Sequence, residues 1–416
     1  LEDCLRIGID NNLSLEGKRK EIQRSKYGVS ENRSKLLPQI NAIAGYSNNF
    51  DPPVSVTDGS SYGVPYNITQ TLQHSANAGL EMQMPLFNQT LYTSMSIAKV
   101  MEEISRLSYG KAREDVILQI SKMYYLGQVT AEQIMLIKAN ITRLEELRDI
   151  TQAFFDNGMS MEVDLKRVNI NLENLKVQYD NAQAMMKQQL NMLKYIMDYP
   201  AEKEIALTPV NTDSITTVAL TGLSENIYEL QLSQSQVQLA ERQKKIITNG
   251  YIPSLSLTGS WRYAAYTDKG YHWFHSGPSN QWFRSYGVGL TLRIPIFDGL
   301  DKTYKIKKAM IDIENKRLAW EDARKNLQTQ YLNAVNDLMN NQRNFKKQKD
   351  NYLLAEDVYA VTSDRYREGI ASMTEVLQDE MQMSEAQNNY ISAHYNYRVT
   401  NLMLLKLTGQ IESLVK

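Results

Sequence analysis

Proline is confined to three zones of this 416-residue chain, and the intervals between them are unusually long. The zones are Pro38 to Pro85, Pro200 to Pro253, and Pro278 with Pro295. Because proline costs about 3 kcal/mol inside a helix, two proline-free stretches of more than about 100 residues are compatible with very long helices. A continuous helix over residues 88–155 would be about 100 Å long, which is too long for a globular core.

Both proline-free stretches carry a narrow apolar seam. In the first, Ile134, Ile137, Ile141 and Leu144 follow heptad-like steps, and the second repeats this spacing. Its seam consists of Ala323, Leu327, Ala334, Leu338, Phe345, Tyr352 and Ala355. Such spacing indicates coiled-coil packing. A solid bundle needs a wider apolar face, whereas a ring of helices around water needs only lateral seams, so the narrow seams favour a ring. The alternative is an ordinary long coiled coil.

The chain contains an internal duplication. Three landmarks recur in the same order with a separation of about 210 residues. They are Gly79–Asn88 with Gly289–Asp298, Phe155–Leu165 with Tyr366–Val376, and Leu36–Gly45 with Tyr251–Gly259. Each half therefore reads helix, strand, loop, strand, very long helix, glycine turn and helix.

The duplication predicts the bounds of two repeats. The first repeat covers 1–210, with a helix at 1–36, strands at about 38–49 and 71–87, and long helices at 88–157 and 160–198. The second covers 211–416, with a helix at 222–250, strands at about 253–267 and 282–297, and long helices at 299–367 and 372–408.

The predicted strands alternate apolar and polar residues, and aromatic residues crowd their ends. Trp261, Tyr263, Trp282 and Phe283 are the candidates for an aromatic girdle. Strands of about ten residues with one apolar face, one polar face and aromatic ends are typical of a membrane β-barrel. The alternative is a half-exposed antiparallel sheet packed on helices.

Four strands per chain are too few to close such a barrel, since known bacterial barrels begin at about eight. An open edge in lipid leaves N–H and C=O groups unpaired at several kcal/mol each, so chains must share one barrel. Two copies would give about eight strands and a filled interior, whereas three give about twelve and an aqueous lumen. The small and polar inward residues favour three copies, and we expect a homotrimer.

Composition and motifs argue against several other classes of protein. The formal net charge of −1 gives no basic excess for nucleic acid, and no run of about 18 apolar residues predicts a transmembrane helix. No signal peptide is visible, as expected of a processed chain. Cys4 is expected to be a small buried residue. His272 and His275 fit a loop better than a metal site, His74 and His394 are expected to be structural, and no enzyme or cofactor motif is found.

The duplicated pattern carries a family resemblance. Each half has a Gly-x5-Pro-Leu/Ile-Phe-Asn/Asp segment leading into a long helix, then an aromatic-x-x-Gly-x5-Asp/Glu turn. This pattern resembles the TolC family of outer-membrane factors over essentially the whole chain. The opening residues 1–13 resemble that family's N-terminal helix, with Asn12 where proline is usual. The resemblance implies an α+β membrane protein with a trimeric twelve-stranded barrel, a long coiled-coil tunnel, and an equatorial belt at about 199–221 and 409–416.

The resemblance also implies a location and a function. The chain would lie in the outer membrane of a Gram-negative bacterium, in contact with its lipid, and extend into the periplasm. It would be the passive exit duct of a tripartite efflux pump or type I secretion system. Its periplasmic tip, at the turns of Gly158 and Gly369, would dock a periplasmic adaptor (membrane fusion) protein and an inner-membrane transporter.

The candidate gate and selectivity residues are Asp164, Tyr366, Arg367, Glu375 and Gln378. The resemblance implies acidic side chains narrowing the entrance at Glu375 and Gln378, and bonds that hold the closed state at Tyr366. Gln378 departs from the acidic pattern. For Asp164 and Glu375 a second interpretation stays open, since a carboxylate in the first turn of a helix is favoured by capping and by the macrodipole alone.

A second function class is a surface receptor or adhesin. It would use the aromatic, Gly/Ser-rich segments 50–67 and 267–280 to bind external ligands.

Overall fold

The computed structural model describes residues 1–70, 72–209, 222–267 and 282–415. The helices are α1 Glu2–Asn11, α2 Leu13–Ser34, α3 Gln89–Asp156, α4 Glu162–Met197, α5 Tyr228–Asn249, α6 Asp301–Arg367 and α7 Met373–Leu407. The strands are β1 Gln39–Asn48, β2 Val54–Asp58, β3 Tyr66–Gln70, β4 His74–Phe87, β5 Ser254–Thr267 and β6 Trp282–Arg293. Short 3-10 helices lie at Ser60–Tyr62 and Ile411–Val415.

The chain divides into two compact units. A helical unit contains Leu1–Ile22, Ile104–Gln234 and Arg317–Lys416. A strand unit contains Gln23–Glu103 and Ser235–Lys316. Within the described residues, no helix combines the length and the apolarity needed to cross a bilayer.

The strand unit is built on a four-stranded antiparallel sheet of order β1-β4-β5-β6. Its register places Leu80 opposite Trp261 and Trp261 opposite Tyr286, so these three side chains share one face. The next residues along the strands, including Glu81 and Ser260, occupy the other face because side chains alternate along a strand. The alternation seen in the sequence is therefore a property of the whole sheet.

Prolines mark an irregularity in β4, which still ends at the predicted residue 87, and the early end of β6. Because proline has no N–H to donate to a ladder, it is tolerated at bulges and sheet edges. In β4 the register shifts between Pro85 and Phe87, and the strand continues past the irregularity. In β6 the ladder ends at Arg293, before Pro295 and before the expected end at 297. The segment expected to be a loop between the first two strands also contains a separate hairpin, β2–β3.

The repeated Asn/Asp at the end of the first landmark starts the long helices. Asn88 Oδ1 accepts hydrogen bonds from the N–H groups of Thr90 and Leu91, at 3.0 and 3.3 Å. In the second half Asp298 Oδ2 accepts from the Lys302 N–H at 3.2 Å. Side-chain oxygens at these positions satisfy N–H groups that have no partner within the helix.

In the helical unit the N-terminal helix expected over 1–36 is two helices. Asn12 separates them, because its Oδ1 accepts from the Leu15 N–H at 3.1 Å and its Nδ2 donates to the Ile196 carbonyl at 2.7 Å. Leu5 and Leu15 are fully buried in a core that also contains residues of α3, α4 and α7. Cys4 packs against this core, and burial raises the pKa of its thiol.

A second core of the helical unit lies where α3, α4, α6 and α7 approach the two glycine turns. It contains Leu144, Leu147, Val168, Leu172, Leu175, Tyr359, Tyr366, Ala371, Met373, Val376, Leu377 and Met383. Of the candidate gate residues, this core contains Tyr366.

Candidate functional site

The two glycine turns share one backbone conformation. Gly158 follows α3 with a φ of 71°, and Gly369 follows α6 with a φ of 76°. In each turn the glycine N–H donates to the carbonyl three residues earlier, at 2.9 Å, and the next N–H donates to the carbonyl five residues before it. Glycine adopts this left-handed conformation without the strain that a Cβ introduces. Both turns can therefore reverse the chain within a few residues.

The helix that follows the second turn begins with a capping box. Ser372 Oγ accepts from the Glu375 N–H at 3.3 Å, and Glu375 Oε2 accepts from the Ser372 N–H at 3.1 Å. One carboxylate oxygen of Glu375 is therefore engaged in capping the helix, as the capping interpretation of this residue predicted. The residue is nevertheless exposed.

Asp164 behaves differently at the start of α4. That helix begins after Met161 with no side-chain cap. Asp164 Oδ1 instead accepts from Arg167 Nη1 at 3.3 Å, and its side chain is 15% exposed. Asp164 is thus an ion-pair partner of Arg167.

Tyr366 connects α6 to α3 within the buried core. Its hydroxyl lies 3.3 Å from Thr151 Oγ1. Because the Thr151 hydroxyl donates to the Leu147 carbonyl at 2.7 Å, Tyr366 is the donor in their hydrogen bond. The Phe154 ring lies 5.6 Å from the Tyr366 ring, centroid to centroid.

Arg367 makes a second, weaker connection between the same two helices. Its Nη1 donates to Asp364 at 3.1 Å and its Nη2 to Glu146 of α3 at 3.5 Å. These side chains are largely exposed, and such surface ion pairs contribute about 0–1 kcal/mol. The buried Tyr366 contact is the stronger constraint.

Arg167 joins the two helices that follow the turns, and sequence reasoning did not identify it. The same Nη1 that bonds Asp164 also donates to Thr374 Oγ1 of α7 at 3.3 Å. Only its spacing from Asp164 was visible in the sequence, since Thr374 is 207 positions away.

Gln378 lies on a groove between α4 and α7. The groove has a volume of about 910 Å³ and its lining includes Arg167, Gln178, Glu380 and Asn388. Gln378 and Glu375 are both exposed, but only Gln378 lines the groove.

Glu380, at the floor of this groove, is a second residue that the sequence did not reveal. It is 5% exposed, and its Oε1 has no hydrogen-bond partner among the described residues. Burial raises the pKa of Glu380 to about 7, and the charge of Arg143 only partly opposes this shift. Arg143 itself donates to Glu356 at 3.1 Å and to Met383 Sδ at 3.2 Å.

The arrangement is suited to mechanical separation of helices. Next to the turns, Tyr366–Thr151, Arg367–Glu146 and Arg167–Thr374 join neighbouring helices, and the backbone at both turns is conformationally permissive. Within the described ranges, no group of three or more His, Cys, Asp or Glu side chains is arranged to hold a metal ion.

The strand register separates the predicted aromatic girdle into two sets. Trp261 and Tyr263 form an edge-to-face pair 5.6 Å apart, and Trp282, opposite Ala265, shares their face. Phe283 is opposite Ala264 and therefore lies on the polar face, because neighbouring residues of a strand alternate. His272 and His275 lie outside the described residues.

Comparison with known proteins gives one family. Residues 7–197 and 219–410 match the model of the family described as Outer membrane efflux protein. The outer membrane protein TolC of Vibrio cholerae is 21% identical over 399 residues, covering 92% of this chain and 84% of that protein. The probable efflux pump outer membrane protein TtgC of Pseudomonas putida is 23% identical, and the match covers 86% of this chain and 75% of TtgC.

A solved structure of CusC shares the fold. It is described as showing conformational changes that accompany folding and transmembrane channel formation. The TM-score is 0.80 at 16% identity, covering 98% of this chain and 91% of the other.

Proposed function

This chain belongs to the outer membrane efflux protein family, and from that membership we propose that it is the exit duct of a tripartite efflux pump or type I secretion system. The similar proteins TolC and TtgC are named as outer-membrane proteins, and TtgC as part of an efflux pump. The chain is an outer-membrane protein of a Gram-negative bacterium that extends into the periplasm. The receptor alternative finds no support among these relatives.

Three copies would form one twelve-stranded barrel. The support for this is the four-stranded sheet, whose outer strands β1 and β6 each pair with only one strand of the described chain. Val288 and Leu290 of β6 are 80% and 66% exposed. Unpaired edges and an apolar face are compatible with lipid only when neighbouring copies close the sheet.

The helical unit would supply the gated end. A periplasmic adaptor and an inner-membrane transporter would dock at the turns of Gly158 and Gly369, and the transporter would provide the energy. In the closed state, three links would hold the helices together: Tyr366–Thr151, Arg367–Glu146 and Arg167–Thr374. A partner that binds the open tip better than the closed tip would shift the equilibrium towards opening.

Glu375 would set the charge preference of the entrance. One carboxylate oxygen caps α7, and the exposed side chain keeps its negative charge available to ions. Three copies near a threefold axis would favour cations.

The proposed gate rests mainly on the buried hydrogen bond from Tyr366 to Thr151. Conductance measurements can test whether this bond keeps the channel closed. Tyr366→Phe removes the donor and keeps the ring, so channels in planar bilayers should open more often than wild type. Tyr331→Phe is the matched control, because the Tyr331 hydroxyl accepts from the Gly222 N–H at 3.1 Å and contacts neither turn. No conductance from wild type or Tyr366→Phe would contradict the conduit.

The same recordings test selectivity. Glu375→Gln retains an acceptor for the Ser372 N–H but removes the charge, so cation preference should fall. Glu368→Gln removes an exposed charge beside the same turn and should have the smaller effect. If both changes lowered the cation preference equally, the proposed role of Glu375 in selectivity would be contradicted.

A further inference from the structure

The apolar face of the four-stranded sheet can be followed row by row from the strand pairing. Leu292 and Leu255 form one row, Leu290 and Leu257 the next, and Val288 and Gly259 the third. Towards the β5–β6 connection, Tyr286 opposite Trp261 forms the fourth row. In the fifth row Arg284 lies opposite Tyr263, and in the sixth Trp282 lies opposite Ala265.

Among the described strands of the four-stranded sheet, Arg284 is the one charged residue with a register position on this face. The other charged residues of the four-stranded sheet, Glu81, Arg262 and Arg293, have register positions on the polar face. There Arg262 pairs with Glu81. Arg284 is exposed, and no ion pair is formed by it within the described part of the chain.

Aromatic residues occupy the register positions next to Arg284. Its guanidinium carbon lies 5.8 Å from the centroid of the Tyr286 ring, a cation–π distance. Tyr263 is directly across the strand pair, and Trp282 is two residues away on the same face. Tyr and Trp concentrate where a membrane meets water, so these neighbours indicate an interfacial depth.

The position of Arg284 along β6 gives the same depth. Between Leu292 and Arg284 the strand advances about 27 Å, which a tilt of about 40° converts to about 20 Å of height. The apolar band of an outer-membrane barrel is about 25 Å tall. With Leu292, the last residue of the β6 ladder on this face, taken as one rim of the band, Arg284 lies near the other rim, on the side of the β5–β6 connection. An exposed arginine is tolerated far better there than at the midplane.

We propose that Arg284, supported by Tyr286, Tyr263 and Trp282, binds the phosphate of an anionic lipid headgroup in the membrane leaflet next to the β5–β6 connection. This inference rests on the proposed function, because the apolar face meets lipid only in the closed barrel. The planar guanidinium can donate two parallel hydrogen bonds to phosphate oxygens. The Tyr286 ring lies within cation–π distance of the guanidinium and would help to hold it at this position.

Lipid titration measured by native mass spectrometry tests the site. Purified wild-type protein should bind phosphatidic acid in preference to phosphatidylcholine, and Arg284→Gln should weaken phosphatidic acid binding about fivefold. Arg293→Gln is the matched control, because Arg293 is on the same strand and the opposite face. It should leave the affinity unchanged.

Three results would overturn the site: equal effects of the two changes, no preference for phosphatidic acid, or full displacement of the lipid by inorganic phosphate. If Arg284→Gln fails to fold, Tyr286→Leu keeps the face apolar and should weaken binding about twofold to fivefold. Unchanged binding of phosphatidic acid by Tyr286→Leu would also contradict the site. Conductance separates the two proposals, since conducting channels without a lipid preference contradict only this site, and wild-type protein that neither inserts nor conducts contradicts the conduit.

Discussion

The two glycine turns have matching backbones and different side-chain anchoring. Gly158 and Gly369 have φ angles of 71° and 76° and the same hydrogen-bond pattern. Yet Tyr366, before the second turn, is 6% exposed, whereas its repeat counterpart Phe155 is 38% exposed. The second turn also leads into a capping box that the first lacks. The two repeats thus share the backbone of the turn and differ in the side-chain contacts that hold it.

The largest expected difference comes from truncating the two aromatic residues. Tyr366→Ala should lower the free energy of unfolding by about 3–5 kcal/mol, because it leaves a cavity in the core near the turns. Phe155→Ala should cost about 1 kcal/mol, since this ring is already partly in water. Thermal unfolding followed by circular dichroism measures both, and equal losses would show that the turns are anchored alike.

A pH effect should distinguish α7 from α4. Glu380 has the exposed Asn169 as its repeat counterpart. Burial raises the pKa of Glu380 from 4.5 to about 7, so the folded state holds a proton that the unfolded chain releases between these values. The resulting stabilisation is complete below pH 4.5 and falls by up to about 1.4 kcal/mol per pH unit as pH rises towards 7.

Glu380→Gln should reduce the pH dependence of the melting temperature across that range by the share due to Glu380. Glu114, whose pKa burial also raises to about 7, should keep its own share in both proteins. Glu385→Gln is the matched control, because Glu385 is exposed on the same helix and lines the same groove. A slope unchanged in Glu380→Gln would mean that Glu380 is ionised in the folded protein.

The backbone similarity of the turns has its own test. Gly158→Ala and Gly369→Ala each place a Cβ at a positive φ, so each should cost about 1–2 kcal/mol. Neither position has a heavy atom within 4 Å of an added Cβ, which leaves backbone strain as the common cause. Chemical denaturation would compare them, and a cost confined to one turn would contradict the equivalence.

The smallest expected changes concern the helix starts. Ser372→Ala should lose about 1 kcal/mol by removing the capping oxygen of α7. Met161→Ser should gain a few tenths to about 1 kcal/mol by supplying the oxygen that α4 lacks. Melting temperatures that shift in the same direction for both variants would show that capping does not distinguish the turns.

Much of the fold could be predicted because its signals are local and repeated. The alternation through residues 254–267 gave the strand, and the absence of proline gave α3 and α6. The break at Asn12 was not predicted, because it depends on a bond to the Ile196 carbonyl, 184 positions away. The hairpin β2–β3 was missed because its polar, Gly-rich surroundings resemble a loop.

The candidate site was less accessible to sequence reasoning. Gly158 and Gly369 identified both turns in the sequence, because glycine readily adopts the positive φ that such turns require. Glu380 could not be distinguished from less buried neighbours such as Asp379, because burial depends on how α7 packs against the other helices. Thr151 likewise has no local feature that predicts its bond to Tyr366.

The two unfinished sheet edges have a genetic consequence. In the proposed trimer every seam joins β6 of one copy to β1 of the next, so no chain can complete its own ladder. A single copy carrying Val288→Pro would damage a closed structure that it shares with two intact copies. Mutations in these edge strands should therefore behave as dominant alleles when both versions are made in one cell, whereas losing one gene copy entirely should be recessive.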